Sequence, residues 1–365
     1  MKKLLSLVLT CFVLLDLNAQ ETTSVKEFKT IVDLPATSVK SQGRTGTCWS
    51  FATTSYIESE ILRLGGPELD LSEMYFVRYT YPEKAQQYIM RHGLTNFSEG
   101  GQAHDVMNVV REYGIVTEHA YPGKRDESKP YNHSELVAVQ KAALDKLINE
   151  KNAAPSEKWY EILESVLNIY MGELPAQVMY DGKTMSPMEF RDEMGIKADD
   201  YVELTSYTHH PWYSRFNLEI PDNWAFGLYY NLPIDELMEV INNALKNGYT
   251  VCWDGDVSES SFSHREGLAT VPEKDSDTEK EITQSMRQEA FLSWHATDDH
   301  LMHITGMAKD KDGTVYYKTK NSWGTKGNPY GGYLYMSESY VKLNTIAVMI
   351  HKDAIPQHIA EKIFK

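Results

Sequence analysis

The feature that most constrains this chain is a single cysteine placed where a loop turns into a helix. Residues 41–47 before it are rich in glycine and small polar residues and are predicted to form a loop. After Cys48, apolar and small residues recur at three- and four-residue steps as far as Leu62, which predicts a helix with one buried face. Cys48 is therefore expected at a helix N-terminus, where the positive end of the helix dipole stabilises a thiolate.

A thiolate in this position is a candidate nucleophile, and a nucleophile needs a base and an oxyanion donor. Gln42 lies six residues upstream, so that its side-chain amide and the backbone N–H of Cys48 are candidates for an oxyanion hole. The alternative is a buried structural cysteine after a turn, since a lone cysteine following glycine is common.

Two segments near the C-terminus supply a histidine and an asparagine. Residues 299–308 are predicted to form a strand entered from a polar loop, and residues 315–320 its antiparallel hairpin partner, which runs directly into Asn321. Pairing brings the start of the first strand to the end of the second, so the asparagine oxygen can accept from the imidazole and orient it. His303 is predicted to be this base because a continuous strand follows it, whereas His300 is assigned to the loop.

The cluster of histidines in this region has a second interpretation. A metal site could use His295, His300 and His303 together with Asp298 or Asp299. The chain has no helical His-Glu-x-x-His pattern, and two of these histidines are assigned to a loop, so neither a metal nor any other cofactor is expected.

The two segments together resemble the papain-like cysteine peptidases. Thr45-Gly46-Thr47-Cys48-Trp49 follows their cysteine motif, and Asn321-Ser322-Trp323-Gly324 follows their asparagine motif. Thr45 stands where secreted papains have a disulfide-bonded cysteine, which favours the bleomycin hydrolase (aminopeptidase C) branch. The resemblance covers roughly residues 35–356. It implies an α+β, two-lobed fold and peptide hydrolysis through an acyl-enzyme, with Cys48, His303, Asn321 and Gln42 as the catalytic residues.

The resemblance also implies residues that bind the substrate. Gly100 and Gly101 precede a helical stretch, as a glycine pair does in papain-like enzymes, where their backbone lines the cleft and pairs with the peptide. The alternative is an ordinary helix N-terminus. Trp323 is expected to cover the hydrogen bond between the histidine and Asn321, to exclude water from it and to border the substrate.

The domain organisation follows from these landmarks. A helical lobe is expected at about 36–125, a mainly helical insertion at about 126–221, a β lobe at about 222–356 and a short tail at 357–365. Residues 236–247 are predicted to be helical and 248–257 to form a strand. Cys252 on that strand is interpreted as a packed residue, because neither a base nor a helix start is near it.

The N-terminus has the pattern of an export signal. Lys2 and Lys3 precede an apolar run, residues 4–15, and Ala19 is a suitable cleavage position, so residues 1–19 are predicted to be a signal peptide and the mature protein periplasmic or extracellular. A buried N-terminal helix and lipid attachment at Cys11 are the alternatives. Removing the leader leaves two cysteines, enough for at most one disulfide.

Charge and the C-terminal end limit the remaining functions. The formal net charge of −16 argues against binding nucleic acid or anionic lipid, and no later segment is apolar enough for stable membrane insertion. Peptides are therefore the expected partners, and a homo-oligomer is left open.

The bleomycin hydrolase branch has a long C-terminal arm that enforces aminopeptidase activity and supports a hexamer. The arm is expected to be absent or curtailed here, which leaves endopeptidase or mixed activity, a non-catalytic peptide-binding protein, or transfer to another amine as alternatives.

Overall fold

The computed structural model describes residues 25–365 except 127, 151–153, 275 and 277, so the predicted signal peptide lies outside the described part. The helices are α1 Cys48–Arg63, α2 Glu73–Met90, α3 Ala103–Tyr113, α4 Ser134–Asn149, α5 Lys158–Met171, α6 Pro187–Glu193, α7 Ile234–Lys246, α8 Gln284–Leu292, α9 Glu338–Asn344 and α10 Gln357–Ile363. The strands are β1 Lys29–Asp33, β2 Val178–Tyr180, β3 Lys183–Met185, β4 Tyr201–Thr205, β5 Arg215–Asn217, β6 Leu228–Asn231, β7 Val251–Gly255, β8 Phe262–Ser263, β9 Leu268–Ala269, β10 His300–Lys309, β11 Val315–Lys320, β12 Tyr333–Ser337 and β13 Thr345–His351. None of the helices in this part of the chain is long and apolar enough to cross a bilayer.

Helix α1 is the centre of the helical lobe. Every residue from Cys48 to Ile61 is buried, because α2 and α3 cover one side of the helix and the β lobe covers the other. The helix begins at Cys48 as the sequence predicts, and Gly65, at φ +83°, follows its C-terminal cap residue Leu64.

The β lobe is built on one large sheet with the strand order β5-β6-β4-β13-β7-β10-β11-β12-β9-β8. Strand β10 is central: β7 and β11 flank it, and β1 pairs with its C-terminal half. An apolar core of strand and α7 residues fills the side of the sheet away from α1. The sequence-based boundaries of α7, β7, β10 and β11 agree with the structure to within a few residues.

The predicted insertion contains α4, α5 and α6, but helices cover fewer than half of residues 126–221, so the expectation of a mainly helical insertion is wrong, and the insertion also does not end as expected. α4 and α5 occupy the stretch rich in Ala, Glu, Lys and Leu, and Leu136, Leu144, Leu163 and Leu167 bury their side chains against the helical lobe. β4 and β5 also fall within residues 126–221, yet both are strands of the large sheet. The β lobe therefore begins near residue 201, about twenty residues before the expected boundary at 222.

The two lobes meet where α1 crosses β10 and β7. The hydroxyl of Ser55 on α1 is hydrogen-bonded to Nδ1 of His303 on β10 (2.9 Å), and Lys320 Nζ donates to the same Ser55 oxygen (2.8 Å). Cys252 on β7 lies 3.5 Å from the Thr53 hydroxyl and is fully buried, in agreement with its interpretation as a packed residue. Cys48 and Cys252 are both free thiols.

A β-bulge interrupts the hairpin of β10 and β11. Near the turn, Lys309 pairs with Val315 and Ala308 with Tyr316, but between Ile304 and Gly306 the register shifts by one residue, so that His303 pairs with Lys320. The carbonyl of Thr305, the bulged residue, accepts the backbone N–H of Leu34 beyond β1 (2.9 Å). Gly306 allows β1 to approach, because a Cβ there would overlap the carbonyl oxygen of Val32.

Gly306→Ala tests this close approach. We expect it to lower the free energy of unfolding by about 1–3 kcal/mol, because β1 must move away from the bulge to accommodate the methyl group. Urea unfolding measures the effect, with Lys309→Ala at the exposed end of the same strand as the control. A loss for Gly306→Ala no larger than that of the control would contradict the assignment.

Candidate active site

Cys48 occupies the first turn of α1 and faces the start of β10. Its backbone N–H is one of the four N–H groups that a helix N-terminus leaves without an intrahelical partner, so it is available as an oxyanion donor. The backbone N–H of Leu301 lies near enough to the Cys48 sulfur to lower the pKa of the thiol. This contact places the nucleophile beside the residue that directly precedes Leu301 on the strand, which is His300.

The structure pairs Asn321 with His300 and not with His303. His300 Nε2–H donates to Asn321 Oδ1 at 2.8 Å, which leaves Nδ1 of the ring for the nucleophile. His303 points to the opposite face of β10, where it is fully buried against Ser55 and Tyr56 of α1. The sequence-based assignment of His303 as the partner of Asn321 is therefore wrong, and His303 belongs to the interface between the lobes.

The β-bulge explains this error. If the regular register near the hairpin turn continued, His303 would lie directly opposite Asn321. The bulge moves the pairing by one residue, so that Asn321 continues opposite Met302, which shares a sheet face with His300. β10 also begins at His300 itself, so that this histidine lies on the strand and not in the preceding loop.

Three groups fix the orientation of the Asn321 side-chain amide. Its oxygen accepts the backbone N–H of Ser322 (2.7 Å) in addition to His300, and its Nδ2 donates to Nδ1 of His264 (3.2 Å). Since the oxygen faces two donors and the nitrogen faces an acceptor, the amide has one orientation. Sequence reasoning missed His264, which lies in a polar loop with no spacing signal to connect it to Asn321.

Gln42 connects the cysteine loop to the asparagine loop. Its backbone N–H donates to the carbonyl of Ser322 (2.8 Å), and its side-chain oxygen accepts the Ser322 hydroxyl (2.6 Å). The amide nitrogen donates one hydrogen to the Thr45 carbonyl (2.6 Å), so that its second hydrogen remains for an oxyanion. Gln42 is buried and therefore rigidly positioned for the role that the sequence assigns to it.

Burial keeps both reacting groups neutral before substrate binds. It raises the pKa of the Cys48 thiol to about 12, with the Leu301 N–H opposing the shift and the carboxylates of Asp298 and Asp254 adding to it. Burial lowers the pKa of His300 to about 4, although its hydrogen bond to Asn321 acts in the opposite direction. A neutral imidazole is the form that can accept the thiol proton.

The two glycines expected to bind substrate differ in their surroundings. Gly101 packs against the indole of Trp49 and the carboxylate of Asp105, where a Cβ would be crowded. Gly100 is covered by the side chain of Asp222, which a Cβ at this position would overlap, and its carbonyl accepts a hydrogen bond from Lys84. The α-carbon and the carbonyl of Gly100 are therefore covered by other side chains of the protein, Asp222 and Lys84.

Trp323 forms another wall. Its ring lies 4.8 Å from the ring of His300 and 5.3 Å from that of His264, and 41% of the residue is exposed. One face thus shields the bond between His300 and Asn321 from water, as the sequence predicts, while the exposed part borders the cleft.

The histidines considered as metal ligands do not meet. His295 contacts Glu259 (3.0 Å), while His300 and His303 point to opposite faces of β10. The part of the chain that is described contains one group with ligand-like spacing, His209, His210 and Glu219, whose ligand atoms lie within 4.8 Å.

Hydrogen bonds around His209 do not suit a metal ligand. Gln288 Oε1 accepts the backbone N–H of Thr208 (2.6 Å), so the Gln288 nitrogen donates to His209 Nδ1 (3.1 Å). His209 Nε2 then carries the proton and donates to Glu219 (3.2 Å), whereas a metal would need a lone pair there. The cluster is accounted for by its own hydrogen bonds.

A cysteine at a helix N-terminus, facing a histidine and an asparagine on a central strand pair of a second lobe, defines a papain-like cysteine peptidase with an α+β fold. The profile of the family described as "Peptidase C1-like family" matches residues 87–365. The chain therefore belongs to the peptidase C1-like family, and it is a cysteine peptidase of the aminopeptidase C/bleomycin hydrolase type.

Individual relatives agree with this placement. The chain is similar to aminopeptidase G of Lactobacillus delbrueckii subsp. lactis and to aminopeptidase C of Listeria monocytogenes serovar 1/2a. Each is 24% identical to it, and each alignment covers 88% of this chain and 82% of the relative. Among solved structures, PepW from Lactobacillus rhamnosis HN001 shares the fold with a TM-score of 0.76 at 21% identity, over 92% of this chain and 84% of the other.

Replacing His300 and His303 separately distinguishes a role in catalysis from a role in packing. We expect His300→Ala to lower kcat/KM for peptide hydrolysis by about 10³-fold, because the thiol loses its base. His303→Asn keeps an acceptor for Ser55, so we expect kcat/KM to change by less than about tenfold. Steady-state kinetics measure both variants.

The rate of Cys48 alkylation by iodoacetamide at pH 7 is an independent readout. It should fall in the His300→Ala variant, because a thiol with a pKa of about 12 stays protonated below that pH when no base is present. A His303→Asn variant that loses activity as completely as His300→Ala would overturn the assignment.

Proposed function

We propose that the protein hydrolyses peptide bonds through an acyl-enzyme in which Cys48 is the nucleophile, His300 the base and Asn321 the residue that positions His300. The observation that carries this proposal is the hydrogen bond from His300 Nε2 to Asn321 Oδ1 on the strand whose Leu301 N–H contacts the Cys48 sulfur. The thiol proton moves to His300 Nδ1 as sulfur attacks the carbonyl carbon, and Cys48 N–H and Gln42 stabilise the oxyanion. His300 then protonates the leaving amine, and water hydrolyses the thioester.

We further propose that the enzyme is an aminopeptidase. Its similar relatives are named aminopeptidases G, C and W. The leaving amine must face His300, because His300 protonates it. The Trp323 ring packs against the imidazole ring of His300, so the C-terminal part of the substrate extends over Trp323. The acyl part then runs in the other direction, towards Gly101, where the side chain of Asp222 covers Gly100 and, on this proposal, closes the cleft. A cleft closed on its acyl side has room for a short N-terminal portion only.

Paired fluorogenic substrates test the proposal. We expect aminoacyl 7-amido-4-methylcoumarins with a free α-amine to be cleaved, with kcat/KM at least about tenfold above that of their N-acetylated counterparts, because the acetyl group would meet the closed end. Cys48→Ala should abolish both reactions. Cys252→Ala is the matched control, since that thiol is buried away from the cleft and should not be required for turnover.

Each result discriminates between functions. Equal cleavage of free and acetylated substrates would favour an endopeptidase or mixed specificity. Turnover retained by Cys48→Ala would refute the mechanism, and failure of the wild-type protein to cleave any peptide would favour a non-catalytic binding protein on this scaffold.

We also propose that the protein is exported. The support is the N-terminal sequence: Lys2 and Lys3, the apolar run at residues 4–15, and Ala19. N-terminal sequencing of the protein from fractionated cells should find it outside the cytoplasm, beginning at Gln20 or Glu21. Ala19→Arg should block this processing. An intact Met1 on cytoplasmic protein, or a lipid on Cys11, would contradict the prediction.

A further inference from the structure

Several carboxyl groups surround the closed end of the cleft, and most of them have a basic partner. Glu203 and Asp105 lie 2.7 and 3.6 Å from the two nitrogens of His104, and although burial opposes it, they raise the pKa of His104 to about 9. The ammonium group of Lys84 acts on Asp222 and on Glu99. Each of these carboxylates is thus compensated by a buried cation.

Asp254 and Asp298 are the exception. The two carboxyl groups are close neighbours, and Asp298 accepts from the amide nitrogen of Gln102 at 3.0 Å to each oxygen. Asp254 is 97% buried, and beyond this pair no donor in the described ranges reaches either of its oxygens. No Lys, Arg or His side chain forms an ion pair with Asp254 or Asp298 in those ranges.

Burial is the main cause of the raised pKa values of Asp254 and Asp298. It raises the pKa of Asp298 to about 7, and Asp222 adds to the shift. Burial and the neighbouring Asp298 raise the pKa of Asp254 well above its usual value. Burial therefore disfavours the ionised form of both carboxyl groups, and a cation at Asp298 would stabilise that form.

The Asp254–Asp298 pair lies close to Cys48 and His300. Asp254 lies directly opposite Leu301 in the ladder of β7 and β10, and the Leu301 N–H contacts the Cys48 sulfur. Residues opposite each other in such a ladder are about 4.5–5.5 Å apart. Asp298 precedes His300 by two residues and is partly exposed, whereas Asp254 is buried.

We propose that the Asp254–Asp298 pair binds the α-ammonium group of the substrate, with Asp298 making the contact and Asp222 closing the cleft beyond it. In an aminoacyl substrate a single carbon separates the ammonium nitrogen from the attacked carbonyl carbon, so its acceptor must lie close to the nucleophile. Of the cationic groups that a peptide offers, the α-ammonium fits an acceptor beside Cys48 at a closed end. This inference rests on the proposed aminopeptidase function and names the residues that impose it.

The test compares aminoacyl 7-amido-4-methylcoumarins with their α-hydroxy analogues, in which a neutral hydroxyl replaces the ammonium at nearly the same size. We expect the wild-type enzyme to prefer the amine, and Asp298→Asn to reduce the ratio of kcat/KM between amine and hydroxy substrates by about 10- to 100-fold. Asp298→Ser gives the same readout if the first variant does not fold. Iodoacetamide titration of Cys48 and the thermal midpoint verify the folded site.

Asp299→Asn is the matched control. It removes the same charge one residue away, from an exposed side chain that accepts from the Thr297 hydroxyl (2.7 Å), and should leave the ratio unchanged. Asp222→Ala should open the closed end and raise the cleavage of N-acetylated substrates, a gain that a purely structural role would not produce.

The outcomes separate the two proposals. If wild type cleaves the amines but Asp298→Asn slows amine and hydroxy substrates equally, the pair is structural and this inference fails while the aminopeptidase stands. If wild type shows no preference for a free amine over an acetylated one, the proposed function itself fails.

Discussion

The contact between α1 and the start of β10 holds the whole active site together. Cys48 belongs to one lobe and His300 to the other, and the backbone N–H of Leu301 reaches the Cys48 sulfur across the boundary. Deeper in the same interface, Ser55 joins His303 to Lys320. The fully buried ring of His303 faces α1 and belongs to the interface between the lobes.

Burial sets the chemistry of the site. In water a thiol and an imidazole titrate near neutrality, but here the low-dielectric surroundings raise the pKa of Cys48 and lower that of His300, so both are neutral. The same effect raises the pKa values of Asp254 and Asp298. If this pair binds the substrate, the substrate's ammonium group supplies the cation that no Lys, Arg or His side chain in the described ranges provides to it. Binding and proton transfer would then be linked through one set of buried groups.

The acyl end of the cleft shows how a shared fold acquires its own specificity. A glycine pair offers backbone to a peptide, yet Asp222 and Lys84 occupy the surroundings of Gly100. Asp222 lies between β5 and β6 of the β lobe, outside the segments that carry Cys48, His300 and Asn321. If the protein is an aminopeptidase as proposed, a segment outside the cysteine, histidine and asparagine motifs limits how far its substrate can extend.

The sequence by itself determined the class of this protein, because local signals carry it: the loop before Cys48, the helix after it, the hairpin of β10 and β11, and Asn321 at its end. Only the tertiary structure decided which histidine faces Asn321. A bulge shifts the register of a strand by one residue and exchanges its two faces, and the bulge at Thr305 depends on the approach of β1 from a distant part of the chain. The partners of Gly100 and of Asp298 were likewise beyond sequence reasoning, because they come from segments far apart in the chain that meet only when the two lobes pack.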